Sequence, residues 1–183
     1  MPMRVPLSVL SCLLVATVAS ATPLPSPSPT MRVRPQGARA DRLVQLAHER
    51  SPTVRALLER LEAGDVIVYV DIRTDLDAQV DGCLTWMAAT ASRRIVRASI
   101  RPRLRDRDAV ALIAHELRHA VEVLDHPEVR SATSLRDLYT RIGRSTSTSG
   151  RHFDTDDAVA TGELAWNEVA RPLRAPARVT GES

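Results

Sequence analysis

Apolar residues recur every three or four positions in five stretches of this chain and crowd into short, near-continuous runs in three more. Leu43, Val44, Leu46 and Ala47 predict one helix. Ser51 and Pro52 form an N-cap and first-turn pair for a second, which carries Val54, Leu57, Leu58 and Leu61 and ends at Gly64. Val66 to Ile72 is short, apolar and β-branched, so it predicts a strand. Cys83 to Ala89 and Ile95 to Ile100 predict two more, joined by Thr90 to Arg93 as a hairpin turn. Val110, Ile113, Ala114, Leu117, Ala120, Val121 and Leu124 then mark one side of a longer helix, with Asp106 and Asp108 suited to its first turn and Pro127 unable to continue it. Leu135, Leu138, Tyr139 and Ile142 predict a short helix stopped by Gly143. Val159, Leu164, Trp166 and Val169 predict another, weakened by Gly162 and acidic at its start.

The ends of the chain lack this patterning. Residues 1 to 21 combine one Arg, an apolar run from Leu7 to Val18 and the small-x-small site Ala19-Ser20-Ala21, so they read as a secretory signal peptide. The run is well short of the roughly 20 residues a membrane span needs. Residues 22–40 are rich in Pro and Ser with little to bury and are expected to be a disordered linker; the tail, residues 171–183, is expected to be loose. Residues 41–170 remain for one domain with one core. The chain is thus expected in the periplasm or secreted, without stable membrane insertion after signal cleavage. Cys12 leaves with the signal, and Cys83 reads as a small buried strand residue.

The longest patterned helix contains His115-Glu116-Leu117-Arg118-His119, an H-E-x-x-H set. Residues four apart on a helix differ by roughly 40° and lie about 6 Å apart along the axis, so both imidazoles project from one side and can ligate one ion. Glu116 sits about 100° round from His115, displaced from ligation but placed to take a proton from water. Glu122 returns to the His115 face, roughly 20° away, where it could ligate and is expected instead to hydrogen-bond a ligand imidazole. A zinc site of this type needs a third protein ligand. The helix after residue 151 offers Asp154, Asp157 or Glu163, although Asp154 also suits an N-cap and Asp156 and Asp157 suit first-turn charges.

The stretch from Ala114 to Glu122 is similar to the active helix of zincin metallopeptidases, in particular small exported bacterial proteins of the gluzincin kind, in which a downstream Phe-Glu-Thr supplies the acidic ligand. This chain has Phe153-Asp154-Thr155. The resemblance implies that Asp154 joins His115 and His119 around one Zn2+, with Glu163 in reserve. It also implies a peptide or protein substrate held along an edge strand beside the cleft. The fold implied is α+β: a minimal zincin-like domain with a small, mainly antiparallel sheet of about three strands packed with the H-E-x-x-H helix and flanking helices. Glu116 would be the general base, and Tyr139 or His152 would donate to the developing oxyanion. The metzincin extension does not follow His119. A catalytically inactive zincin-like module that binds metal, or serves as an envelope interaction surface, is the alternative.

Charge adds little to this picture. The formal net charge is +3, every one of the 25 basic residues is Arg, and seven fall between Arg93 and Arg107. Only 3 % of residues are aromatic and none interleave with these arginines, so the stretch reads as a solvated strand face and no nucleic-acid partner is expected.

Overall fold

A computed structural model describes residues 32–78, 80–145 and 152–171; the expected signal peptide, residues 146–151 of the Ser/Thr/Gly loop and the tail beyond Arg171 lie outside them. The elements run β1 (Val33–Gln36), α1 (Ala38–Arg50), α2 (Pro52–Glu62), β2 (Val66–Ile72), β3 (Gly82–Ala89), β4 (Arg94–Ile100), α3 (Asp106–Asp125), α4 (Ala132–Ile142), β5 (Arg144–Ser145), β6 (Phe153–Asp154) and α5 (Asp156–Ala170). The fold is α+β, with five helices and a four-stranded sheet among the described residues. None of these helices is long and apolar enough to cross a membrane.

The sheet corrects the expectation of a mainly antiparallel, three-stranded one. Its order is β1-β2-β4-β3, with β1 parallel to β2, β2 parallel to β4, and only β3 antiparallel to β4. Two causes account for this. Val33–Gln36, inside the stretch that composition marked as linker, pairs with β2, and α1 and α2 form the crossover that lets the two strands run the same way. The β3–β4 hairpin then joins β2 through its second strand, leaving β3 at the edge. The β3 register slips at Met87, between Trp86 and Ala88.

Val33, Val68, Val96 and Trp86 lie side by side on the sheet face that meets α1, α2 and α3, and the first three are fully buried in the core. The alternate row, Arg34, Tyr69, Arg97 and Thr85, forms the other face. Gly37 turns the chain from β1 into α1 with φ +85°, a conformation that favours glycine. Ser51 ends α1 by donating its N–H to Ala47 and begins α2 by accepting from Val54 N at 3.0 Å, the cap its sequence context predicts. Glu168 of α5 accepts from Ser51 and from the Thr53 hydroxyl at 2.8 Å, tying the end of α5 to the start of α2.

The C-terminal end of α3 is held by a buried arginine. Arg94 opens β4 and is 1 % exposed. Its Nη1 donates to the carbonyls of Val123 (2.6 Å) and His126 (2.8 Å), its Nη2 to that of Leu124 (3.3 Å), and its Nε and Nη2 form a fork on the Asp65 carboxylate at 2.9 and 2.6 Å. One guanidinium thereby adds donors to three carbonyls at the helix end, two of which, Val123 and His126, also accept backbone N–H groups, and pins α3 to the sheet. The arginine-rich stretch is largely committed in this way: Arg97 lies 3.5 Å from Asp71, and Arg101 donates to the carbonyls of Asp77 and Val80.

Candidate metal centre

Helix α3 presents His115 and His119 one turn apart, with ring centroids 4.8 Å apart and planes at 83°. The two-residue strand β6 ends in Asp154 opposite them. Asp154 Oδ1 lies 3.1 Å from His115 Nε2 and 3.7 Å from His119 Nε2, and one ligand atom from each of the three residues falls within 4.8 Å of the others. This His-His-Asp group could hold a metal ion. The identity of the ion is not fixed by these three donors, although two imidazoles and a carboxylate suit zinc.

The competing roles for the acidic residues resolve physically. Thr155, not Asp154, caps α5: its Oγ1 accepts from Ala158 N at 3.1 Å, which leaves the Asp154 side chain available to the histidines. Asp156 pairs with Arg144 at 2.7 Å and Asp157 with Arg118 at 2.6 Å, so neither joins the group. Glu163 lines a neighbouring cavity but is not among the converging donors. Gly162, which weakens the helical pattern, is where α5 lies against α3: a Cβ there would sit 3.2 Å from the Ala111 carbonyl oxygen and 3.5 Å from His115 Cβ.

A buried chain of hydrogen bonds joins the two ligand-bearing elements. His119 Nδ1 donates to Glu122 Oε2 at 2.8 Å, and Thr155 Oγ1 donates to Glu122 Oε1 at 2.6 Å. With the proton on Nδ1, the His119 Nε2 lone pair faces Asp154. Glu122 therefore orients one ligand and, through Thr155, fixes the residue next to another. If the group holds a divalent metal ion, replacing Thr155 by Val should weaken its binding by about 10- to 100-fold, as loss of an outer hydrogen bond does at such sites, whereas Thr155→Ser should retain affinity. Competition titration against a chromophoric chelator measures this, and equal affinity in the Val variant would remove the linking role.

Burial works against a charge on His115, but its hydrogen bond to Asp154 and the carboxylates of Glu116 and Glu122 outweigh it and raise its pKa. Burial likewise tends to raise the Asp154 carboxyl, yet the His115 contact and the two imidazoles hold it below the ordinary range. Both shifts mark the point between these side chains as one that favours positive charge. Glu116 is 3 % exposed, burial pushes its carboxyl up, and its Oε2 has no hydrogen-bond partner among the described residues. A buried carboxylate oxygen without a partner is costly, and a role in binding or chemistry is one recognised reason for its presence. Gly82 gives this arrangement room: a Cβ on it would lie 3.1 Å from Glu116 Oε1 and 2.8 Å from Leu112, so a larger residue would have to displace the Leu112 side chain.

The two candidate oxyanion donors fare differently. Tyr139 is buried, stands edge-on to the His119 ring at 5.0 Å, and donates its hydroxyl proton to the His119 carbonyl at 3.1 Å. Burial holds that hydroxyl well above its ordinary pKa, so it is a neutral brace for α3 with its proton aimed at the helix backbone. His152 lies on the cleft wall, 3.7 Å from Asp77. Cys83 is half-buried on β3, and burial raises its thiol to about 11, which argues against a nucleophile.

The group opens into a cleft of about 630 Å³ bounded by Gly82 to Trp86 of β3, Glu116, His119 and His152. The strand beside the cleft is thus the edge strand β3. Thr155 joins the group through Glu122, and a Thr directly before Asp156-Asp157 is the usual sequence signal for such a helix cap. Comparison with protein-family models, with curated proteins and with solved structures finds no match to the chain.

Proposed function

We propose that this chain is an exported zinc-dependent peptidase in which His115, His119 and Asp154 hold the ion and Glu116 is the general base. The observation that carries the reading is the convergence of three ligand atoms beside a buried carboxylate with an unpartnered oxygen, at the wall of an open cleft. Zinc held there would supply a Lewis acid that makes water a nucleophile near neutral pH and polarises the carbonyl under attack. Glu116 takes the proton from the attacking water and returns it to the leaving nitrogen. An extended peptide lies along β3, using the edge that makes no strand pairing among the described residues. His152, on the same wall, is the side chain best placed to donate to the oxyanion.

The test is a peptide-library digest by the purified chain, with bound metal quantified by mass spectrometry. One zinc per chain is expected, with cleavage that a chelator abolishes and added zinc restores. Zinc without cleavage would point instead to an interaction module built on the same site, and no bound zinc would end both readings.

A further inference from the structure

The cleft along β3 has a neighbour. A second cavity, also about 630 Å³, lies between α3 and α5, and His115, Asp154, Asp81 and Leu112 belong to the walls of both. A side chain entering this second space therefore belongs to a residue directly beside whatever bond is held at the metal centre.

Its chemistry is selective. Leu104, Leu112, Val159 and Trp166 make an apolar lining, while Asp81, Asp108, Asp154 and Glu163 contribute four carboxylates. Among the described residues no arginine lines it, in a chain that contains 25. Three of the carboxylates are engaged: Asp154 with the histidines, Asp108 accepting from Trp166 Nε1 at 3.0 Å, and Asp81 at 3.2 Å from Arg101. The Glu163 carboxylate sits on the exposed rim of this space and has no hydrogen-bond or ion-pair partner among the described residues. The Trp166 wall is fixed in place, since Arg107 stacks on its ring with Cζ 3.1 Å from the centroid and donates to its carbonyl at 2.9 Å.

We infer that this cavity receives the arginine or lysine side chain of a substrate residue flanking the bond to be cut, with Glu163 as the group that determines the preference; the inference rests on the peptidase reading above. The apolar stem of such a side chain matches the Leu112, Val159 and Trp166 surface, and its cationic head meets Glu163 in a charge-assisted hydrogen bond. A neutral side chain of the same length would leave that carboxylate to water, and an acidic one would face like charge. The cavity thus selects against the acidic chains that the net charge of +3 would attract to the rest of the surface.

Calorimetry on the full chain, zinc-loaded and carrying Glu116→Gln so that peptide is not consumed, tests this directly. The probes are acetyl-Ala-Ala-Arg-Ala-Ala-amide and the same peptide with citrulline in place of arginine, which keeps the shape and removes the charge. The arginine peptide should bind about three- to fivefold more tightly, and adding Glu163→Gln should bring the ratio of the two Kd values close to one. The citrulline comparison is made on one protein and needs no second variant to fold. Equal affinity for the two peptides, or binding of neither, overturns the subsite. A wild-type digest run in parallel separates this from the underlying reading: cleavage without discrimination leaves the peptidase standing and removes the subsite, whereas arginine-selective binding without cleavage keeps the subsite and removes the peptidase.

Discussion

Glu116→Gln should lower the rate of peptide hydrolysis by about 10²- to 10⁴-fold, the range that a positioned general base supplies. The same variant should retain its zinc, because the amide leaves His115, His119, Asp154 and the Glu122 link to His119 untouched. It should also be no less stable than wild type in the metal-free form. The carboxyl of Glu116 is buried, desolvation raises its pKa, and one of its oxygens lacks a partner, so an uncharged isostere removes an unfavourable burial. A group that costs stability and is kept beside converging ligands is what a site retained for chemistry predicts. Single-turnover assays, metal analysis and thermal unfolding on the same preparation read the three quantities. Full activity in the Gln variant would remove Glu116 from the reaction.

Arg94→Met should destabilise the chain by about 3 kcal/mol, because it removes a buried cation that donates to three carbonyls at the end of α3 and leaves Asp65 without its fork. Domains of this size are stable by about 5–15 kcal/mol, so the loss is a large fraction of the total and denaturant unfolding will resolve it. The pair also sets an acid limit. The Arg94 fork holds the Asp65 carboxyl below its ordinary value of about 4, so its folded pKa lies under the unfolded one. The stabilisation is therefore complete above about pH 4 and is lost as the pH falls through the lower folded value. Asp65→Asn should flatten that part of the stability curve, and an unchanged acid limb in the variant would show that other carboxylates set it.

Much of this molecule follows from local rules. The apolar spacing of Val54 to Leu61 and of Val110 to Leu124, the cap at Ser51-Pro52, and the turn between Ala89 and Ile95 each act within a few residues, and the elements they predict are present. The H-E-x-x-H spacing is likewise local, since one helix dictates where both imidazoles point. Strand order is not a local property. Nothing in the apolar run of β2 states that β4, rather than β3, will lie beside it. Pro35 and the Pro-rich stretch ahead of it hid β1 behind the composition of a linker. The third ligand shows the same limit. Asp154 and Thr155 are both competent caps by residue type, and only the packing of β6 and α5 against α3 decides which one turns toward the histidines. Gly162 reads as a weakness in a helix taken alone and as a close contact once a second helix lies across it.

The slip in β3 at Met87 divides the open rim of the sheet into two unequal parts. From Gly82 to Trp86 the backbone is regular and borders the cleft; beyond it the ladder is kinked and Met87 is turned outward, 41 % exposed. On the peptidase reading, a substrate strand would pair with the first part alone, a stretch of about five residues. The irregularity also deprives copies of this protein of the long straight border along which sheets polymerise.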